Sequence, residues 1–237
     1  MSMKIQDMSF SFGKTKVFDN LSFSIKQNQV TAILGVSGCG KSTLIKLLAN
    51  LYEPTEGQIL YTNQEKPSEK EKAIIFQDST LFPWKTVKQN IVLANEGNFI
   101  AVESIAKEVG LFEALDYYPN QLSGGMKQRA EFGRVLAKSP HFLFMDEPFS
   151  KLDVQFREHL QDTFLKIQNK TKPTTVFVTH DIREAIKVAS NIKVLIGTPV
   201  SEVREYNVKN YEVKELIKEV SNILKKDFEM RIKDLYG

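Results

Sequence analysis

An α/β fold, three layers deep around a mostly parallel sheet, is the architecture that three features of this chain point to. Short apolar runs suited to strands buried on both faces alternate with segments of helical periodicity, the order that builds a parallel sheet covered by helices. A strand, a glycine-rich turn and a helix follow one another near the start of the chain. An alternating β pattern precedes them, and a stretch of helical character without apolar strands interrupts the core further on.

The elements follow in order. MKIQDMSFSF at 3–12 and VFDNLSFSI at 17–25 are rich in β-formers and flank the turn signal Phe12-Gly13-Lys14-Thr15, which predicts an N-terminal antiparallel hairpin. QVTAILG at 29–35 is a short apolar run ending in glycine, and KSTLIKLLANLY at 41–52 has apolar residues at helical spacing. Further strand candidates are GQILY at 57–61, KAIIFQ at 72–77, HFLFMD at 141–146, TTVFVTH at 174–180 and IKVLI at 192–196. From about residue 78 to residue 140 the pattern is helical, an insertion into the α/β core, and from about 208 to 237 it is a helical tail. With no internal repeat and no low-complexity linker, residues 1–237 read as one domain.

Composition narrows the function. Lys and Arg number 32 against 29 Asp and Glu, a net charge of +3. That near-balance lacks the strongly basic footprint of a nucleic-acid-binding protein, so no nucleic-acid partner is expected. Interleaved charges such as KELIKEVSNILKKDFEMRIKD at 214–234 read as a solvated helix face. The single cysteine, Cys39, permits no disulfide within the chain and fits a reducing compartment. No run of 18 apolar residues occurs, so action at a membrane requires a partner that spans it.

Gly35-Val36-Ser37-Gly38-Cys39-Gly40-Lys41-Ser42-Thr43 satisfies the phosphate-loop (Walker A) pattern G-x-x-x-x-G-K-[ST]. Glycines let backbone N–H groups turn inward around a diphosphate, and the following helix directs its positive N-terminal end at the same anion. Lys41 is placed to reach the β- and γ-phosphates and the Ser42 hydroxyl to ligate Mg²⁺. Cys39 is a small filler with no redox role. HFLFMD ends at Asp146 and is followed by Glu147. At the carboxyl end of a parallel strand these acids lie beside the phosphate loop, Asp146 to hold Mg²⁺ and Glu147 to polarise an attacking water. Leu122-Ser123-Gly124-Gly125-Met126-Lys127-Gln128-Arg129 opens a helix with a second anion-binding corner. This is either a simple helix cap or one half of a head-to-tail dimer, in which Ser123 and Gly125 close over the partner's nucleotide.

Taken together, these motifs resemble the nucleotide-binding domain of ABC transporters over nearly the whole chain, which implies the P-loop NTPase fold, ATP and Mg²⁺ as ligands, and ATP hydrolysis. The resemblance adds Gln77 as a residue that contacts Mg²⁺ and water while sensing a permease, and His180 as a switch on the γ-phosphate. It also adds Asp153, in Ser150-Lys151-Leu152-Asp153, as a contact across the dimer, and Phe12 as the aromatic stacked on adenine. A lone Phe in a strand is otherwise a core residue. Asn28 and Asn50 replace glycines common in the family and suit left-handed turns. Lys151 replaces a small residue of the crossing loop, and His141 and His159 match no motif position. Leu81-Phe82-Pro83-Trp84 resembles importer ATPases of the nitrate, sulfonate, taurine and bicarbonate group, with relatives of the hydroxymethylpyrimidine type. It either borders the permease groove or packs the insertion. The resemblance implies a transmembrane permease, a second copy of this chain and, indirectly, a solute-binding protein as partners, at the cytoplasmic face of the inner membrane. A soluble ABC ATPase of DNA repair, chromosome structure or translation is disfavoured by the single cassette and the short interval between Lys41 and Ser123. An exporter subunit is disfavoured by the Leu-Phe-Pro-Trp stretch.

Overall fold

The N-terminal hairpin forms as expected: β1 (Met3–Phe12) and β2 (Thr15–Ile25) pair antiparallel around Gly13, which takes a left-handed φ of 57°. The structure, a computed structural model, describes residues 2–62, 66–94 and 101–236; positions 95–100 of the expected insertion and 237 of the expected tail lie outside the described residues.

β4 (Glu56–Tyr61) adds to the other side of β1, giving a three-stranded antiparallel sheet in the order β2-β1-β4. GQILY therefore does not join the parallel core, where its apolar content alone had placed it. Its residues are largely exposed up to Tyr61, the mark of a strand with one wet face.

The large sheet has six strands in the order β5-β6-β7-β3-β8-β9. These are β5 (Lys72–Ile75), β6 (Phe142–Asp146), β7 (Thr174–Val178), β3 (Val30–Leu34), β8 (Asn191–Ile196) and β9 (Glu202–Asn207). All neighbours pair parallel except β9, which runs antiparallel to β8 at the edge. Every residue of β3, β6 and β7 is buried, as expected for central strands covered on both faces.

Side chains alternate across this sheet and define two cores. On one face Phe142, Phe144, Val176, Val178 and Leu195 pack with the antiparallel sheet and with α1 (Lys41–Leu48). On the other, Leu143, Met145, Phe177 and Val194 pack with helices. Those helices are α2 (Val87–Ala94), α3 (Val102–Glu108), α4 (Gly124–Lys138), α5 (Val154–Thr171), α6 (Ile182–Val188) and α7 (Val213–Tyr236). The three layers predicted for the core are present. Asn28 and Asn50 occupy φ 57° and 59°, the left-handed turns that asparagine tolerates. Among the described residues no helix is long and apolar enough to cross a membrane.

Register decides where chemistry can occur. Val178 lies opposite both Ile33 and Asp146, so β3, β7 and β6 end at one edge of the sheet. The chain leaves that edge as the glycine-rich loop after Leu34, as Glu147 after Asp146, and as Thr179-His180 after Val178.

Candidate active site

Between β3 and α1 the loop turns through Gly38 (φ 77°) and Gly40 (φ 99°). Close approach as well as backbone angle demands glycine: a Cβ at Gly40 would stand 2.5 Å from Val17 Cγ1, and one at Gly35 2.6 Å from Cys39 Sγ. Ser37 and Gly38 are exposed at the crest of the loop, with Cys39 buried beneath them. Burial pushes the Cys39 thiol up, so it is a neutral filler. No acidic residue occupies the first turn of α1 and Gly40 offers no side-chain cap, so the positive end of this helix is left to an external anion. Lys41 is buried, and its ammonium donates to Gly35 O at 2.9 Å and Val36 O at 3.0 Å. Ser42 and Thr43 sit half-buried in the first turn.

The end of β6 meets this loop. Asp146 is buried, and its carboxylate is hydrogen-bonded to Ser42. Burial raises the Asp146 carboxyl above its ordinary value; the Ser42 bond and the charges of Lys46 and Lys41 oppose that shift. A hydroxyl and a carboxylate are hard oxygen donors, and no cluster of three or more His, Cys, Asp or Glu side chains occurs among the described residues. This sparse set fits a cation such as Mg²⁺, which keeps several waters and takes further oxygens from phosphates.

Glu147, one residue on, is half-buried and has φ 49°, a left-handed conformation that costs a side-chain-bearing residue on the order of 1–2 kcal/mol. Its backbone is fastened on both sides. Its N–H donates to Val178 O at 3.1 Å, while its carbonyl accepts from Gln128 Nε2 at 3.1 Å and Ser150 Oγ at 3.0 Å. The twist aims the carboxylate at His180, whose Nδ1 lies 3.3 Å from Glu147 Oε1. Gln128 belongs to the LSGGMKQR motif, yet its support of Glu147 was not foreseen from sequence.

The remaining candidates occupy loops, helix starts and a strand end. Gln77 is exposed in the loop after β5, where Lys151 Nζ donates to its carbonyl and lies 3.3 Å from Asp78 Oδ1. Lys151 thus ties the Ser150–Asp153 loop to the Gln77 loop, an unforeseen consequence of its long side chain. Ser123 and Asp153 cap α4 and α5, accepting from Met126 N at 3.2 Å and Phe156 N at 3.1 Å. Both remain exposed, and their hydrogen bonds run to their own helices. Gly125 lies beside the Lys151 carbonyl. Phe12 ends β1 half-exposed and meets Phe10 and Tyr52 edge-on, at centroid distances of 4.9 and 5.9 Å. It is a surface aromatic with a supported ring, not a core residue.

A phosphate-binding turn, a paired hydroxyl and carboxylate, and a carboxylate bonded to an imidazole together make a site for cleaving a phosphoanhydride, and known proteins agree. A family model described as ABC transporter matches residues 18–150. The chain is 37% identical to an uncharacterized ABC transporter ATP-binding protein, MJ0412, of Methanocaldococcus jannaschii, over 95% of this chain and 92% of that one. It is 38% identical to the aliphatic sulfonates import ATP-binding protein SsuB of Bacillus cereus, over 84% of this chain and 83% of that one. Among solved structures it resembles the dimeric post-hydrolysis state of the ATP-binding cassette MJ0796 bound to ADP and Pi. The TM-score is 0.78 at 26% identity, over 88% of this chain and all of that one. Sequence, fold and site thus converge, and the chain belongs to the ABC transporter family as an ATP-binding, ATP-hydrolysing subunit.

Proposed function

We propose that the chain powers solute import, as a homodimer closed by ATP and Mg²⁺ and seated at the cytoplasmic face of the membrane on a permease that a solute-binding protein supplies. The contact between Glu147 and His180, beside the Ser42–Asp146 pair, carries the catalytic part of this reading. The loop amides of Ser37, Gly38, Cys39 and Gly40 surround the phosphates, with Gly35 opening the turn. Lys41, bonded to the carbonyls of Gly35 and Val36, extends to the β- and γ-phosphate oxygens, and Thr43 completes the first turn of α1. Ser42, Asp146 and Gln77 hold Mg²⁺, which neutralises phosphate charge when bound. Glu147 takes a proton from water as the new O–P bond forms and the bond to the leaving ADP oxygen breaks. His180 orients that water and the γ-phosphate. Phe12 stacks on adenine with its half-exposed ring.

Ser123, Gly125 and Asp153 act on the partner's nucleotide. The exposure of Ser123 and Asp153 at two helix N-termini supports this role. A Ser123→Arg chain mixed with a Lys41→Ala chain tests it. Each mixed dimer keeps one intact composite site, so the mixture should hydrolyse ATP where either variant alone is inert. A mixture no better than its parts, with mixed dimers present, would refute shared sites.

The permease contact falls on Phe82 and Trp84. Asn90, fully buried, holds this turn by accepting from Phe82 N at 2.9 Å and donating to Lys85 O and Thr86 O at 3.0 Å. Trp84 projects with 68% of its surface exposed. Large exposed aromatics on a rigid mount favour a partner over core packing. Trp84→Ala should therefore melt normally, within about 0.5 kcal/mol of the parent, and bind ATP unchanged. In vesicles with the cognate permease it should uncouple hydrolysis from transport. Unfolding of Trp84→Ala would return the residue to the core.

A further inference from the structure

We propose that Glu184, which no motif assigns, is a positioning residue that holds His180 in register with Glu147 through Thr179. The inference rests on the switch role read for His180 above. Glu184 lies in the first turn of α6, 7% exposed, and it accepts a short hydrogen bond from Thr179 Oγ1 and another from Gln161 Nε2 at 3.5 Å. Burial raises its carboxyl above its ordinary value, and the bond from Thr179 opposes that shift.

Helix capping does not explain it. Asp181 already caps α6, accepting from Arg183 N at 2.8 Å and Glu184 N at 3.3 Å. The Glu184 carboxylate reaches instead for the residue before His180. Thr179 is fully engaged: its N–H donates to Ile33 O at 3.2 Å, the last strand turn before the phosphate loop, and its hydroxyl accepts from Asp181 N at 3.1 Å while donating to Glu184. His180 is thus bracketed by two residues locked to Glu184 or to each other, while its own ring stays 67% exposed.

Positioning has a distinct signature. Thr179→Val removes the hydroxyl at nearly constant shape, and Glu184→Leu removes its acceptor. Each should lower kcat roughly 10- to 100-fold, as expected when a reacting group shifts by a fraction of an ångström to about one, with KM for ATP within about twofold. The double variant should lose less than the product of the two single losses, because both remove the bond that Thr179 and Glu184 share. Glu184→Gln keeps an acceptor oxygen and should recover most of the loss. The chain has three histidines, so the imidazole resonances are separable by NMR. That of His180 should move in Thr179→Val and Glu184→Leu while those of His141 and His159 stay in place. Wild-type kcat with an unmoved His180 resonance in Thr179→Val would overturn the proposal, and so would losses that appear only in KM or melting temperature. If instead His180→Ala itself hydrolyses ATP at the wild-type rate, the switch reading fails, and the resonance shift alone then decides whether Glu184 holds the turn.

Discussion

Glu147→Gln should hydrolyse ATP on the order of 10²–10⁴-fold more slowly than the parent while still binding nucleotide, the loss expected for a positioned general base. Glutamine keeps the size and one acceptor oxygen for His180 but cannot hold the proton of an attacking water. Binding draws on Lys41, Ser42 and the loop amides, none of which touches the substituted atom. The backbone contributes no artefact either, since the bonds from Val178, Gln128 and Ser150 act on main-chain atoms of residue 147. Slow cleavage with intact binding lets the closed dimer accumulate. Size-exclusion chromatography in Mg·ATP should show Glu147→Gln as a dimer under conditions where the parent elutes as a monomer. Asp146→Asn should behave differently, weakening the cation site beside Ser42 and trapping no dimer. Like behaviour of the two variants would end the division of labour assigned to these carboxylates.

Lys41→Ala should abolish hydrolysis and reduce ATP affinity severely. Lys41 is the cation at the mouth of the phosphate turn, and its bonds to anionic oxygens are about twice as strong as neutral ones. Truncation also leaves the carbonyls of Gly35 and Val36 without the donor that joins them. The loop should loosen before any ligand arrives. Calorimetric titration with ATP and a coupled phosphate-release assay read both effects, and a wild-type rate in Lys41→Ala would sink the phosphate-loop assignment.

Local chemistry was the part of this molecule readable in advance. VTAIL followed by a glycine-rich turn and a helix needs no distant partner to be recognised, and neither does an apolar strand ending in Asp146-Glu147. Asn28 and Asn50 announced left-handed turns by residue type, and both adopt them. Glu147 adopts the same conformation without any such announcement, because glutamate is not a turn-former; contacts from β7, α4 and the following loop impose it. Long-range choices were the ones missed. Whether GQILY pairs with β1 or enters the parallel sheet depends on register against a strand some fifty residues earlier. β9, Glu202–Asn207, is too charged to read as a strand and survives because it is an edge. The reach of Lys151 to the Gln77 carbonyl, and of Glu184 to Thr179, depends on how loops converge, which no spacing in the sequence records.

The retracted lysine has a consequence for what the loop will accept. Lys41 already commits two of its three ammonium donors to carbonyls, so a ligand oxygen finds one donor free and must exchange for existing bonds to gain more. A neutral ligand trades like for like, and the net gain of such an exchange is close to nothing. Phosphate oxygens replace partial charges with full ones, and only then does the exchange run forward. The loop therefore discriminates by valence before it discriminates by shape. Uncharged nucleosides, which bring no anionic oxygen, should gain little from Lys41.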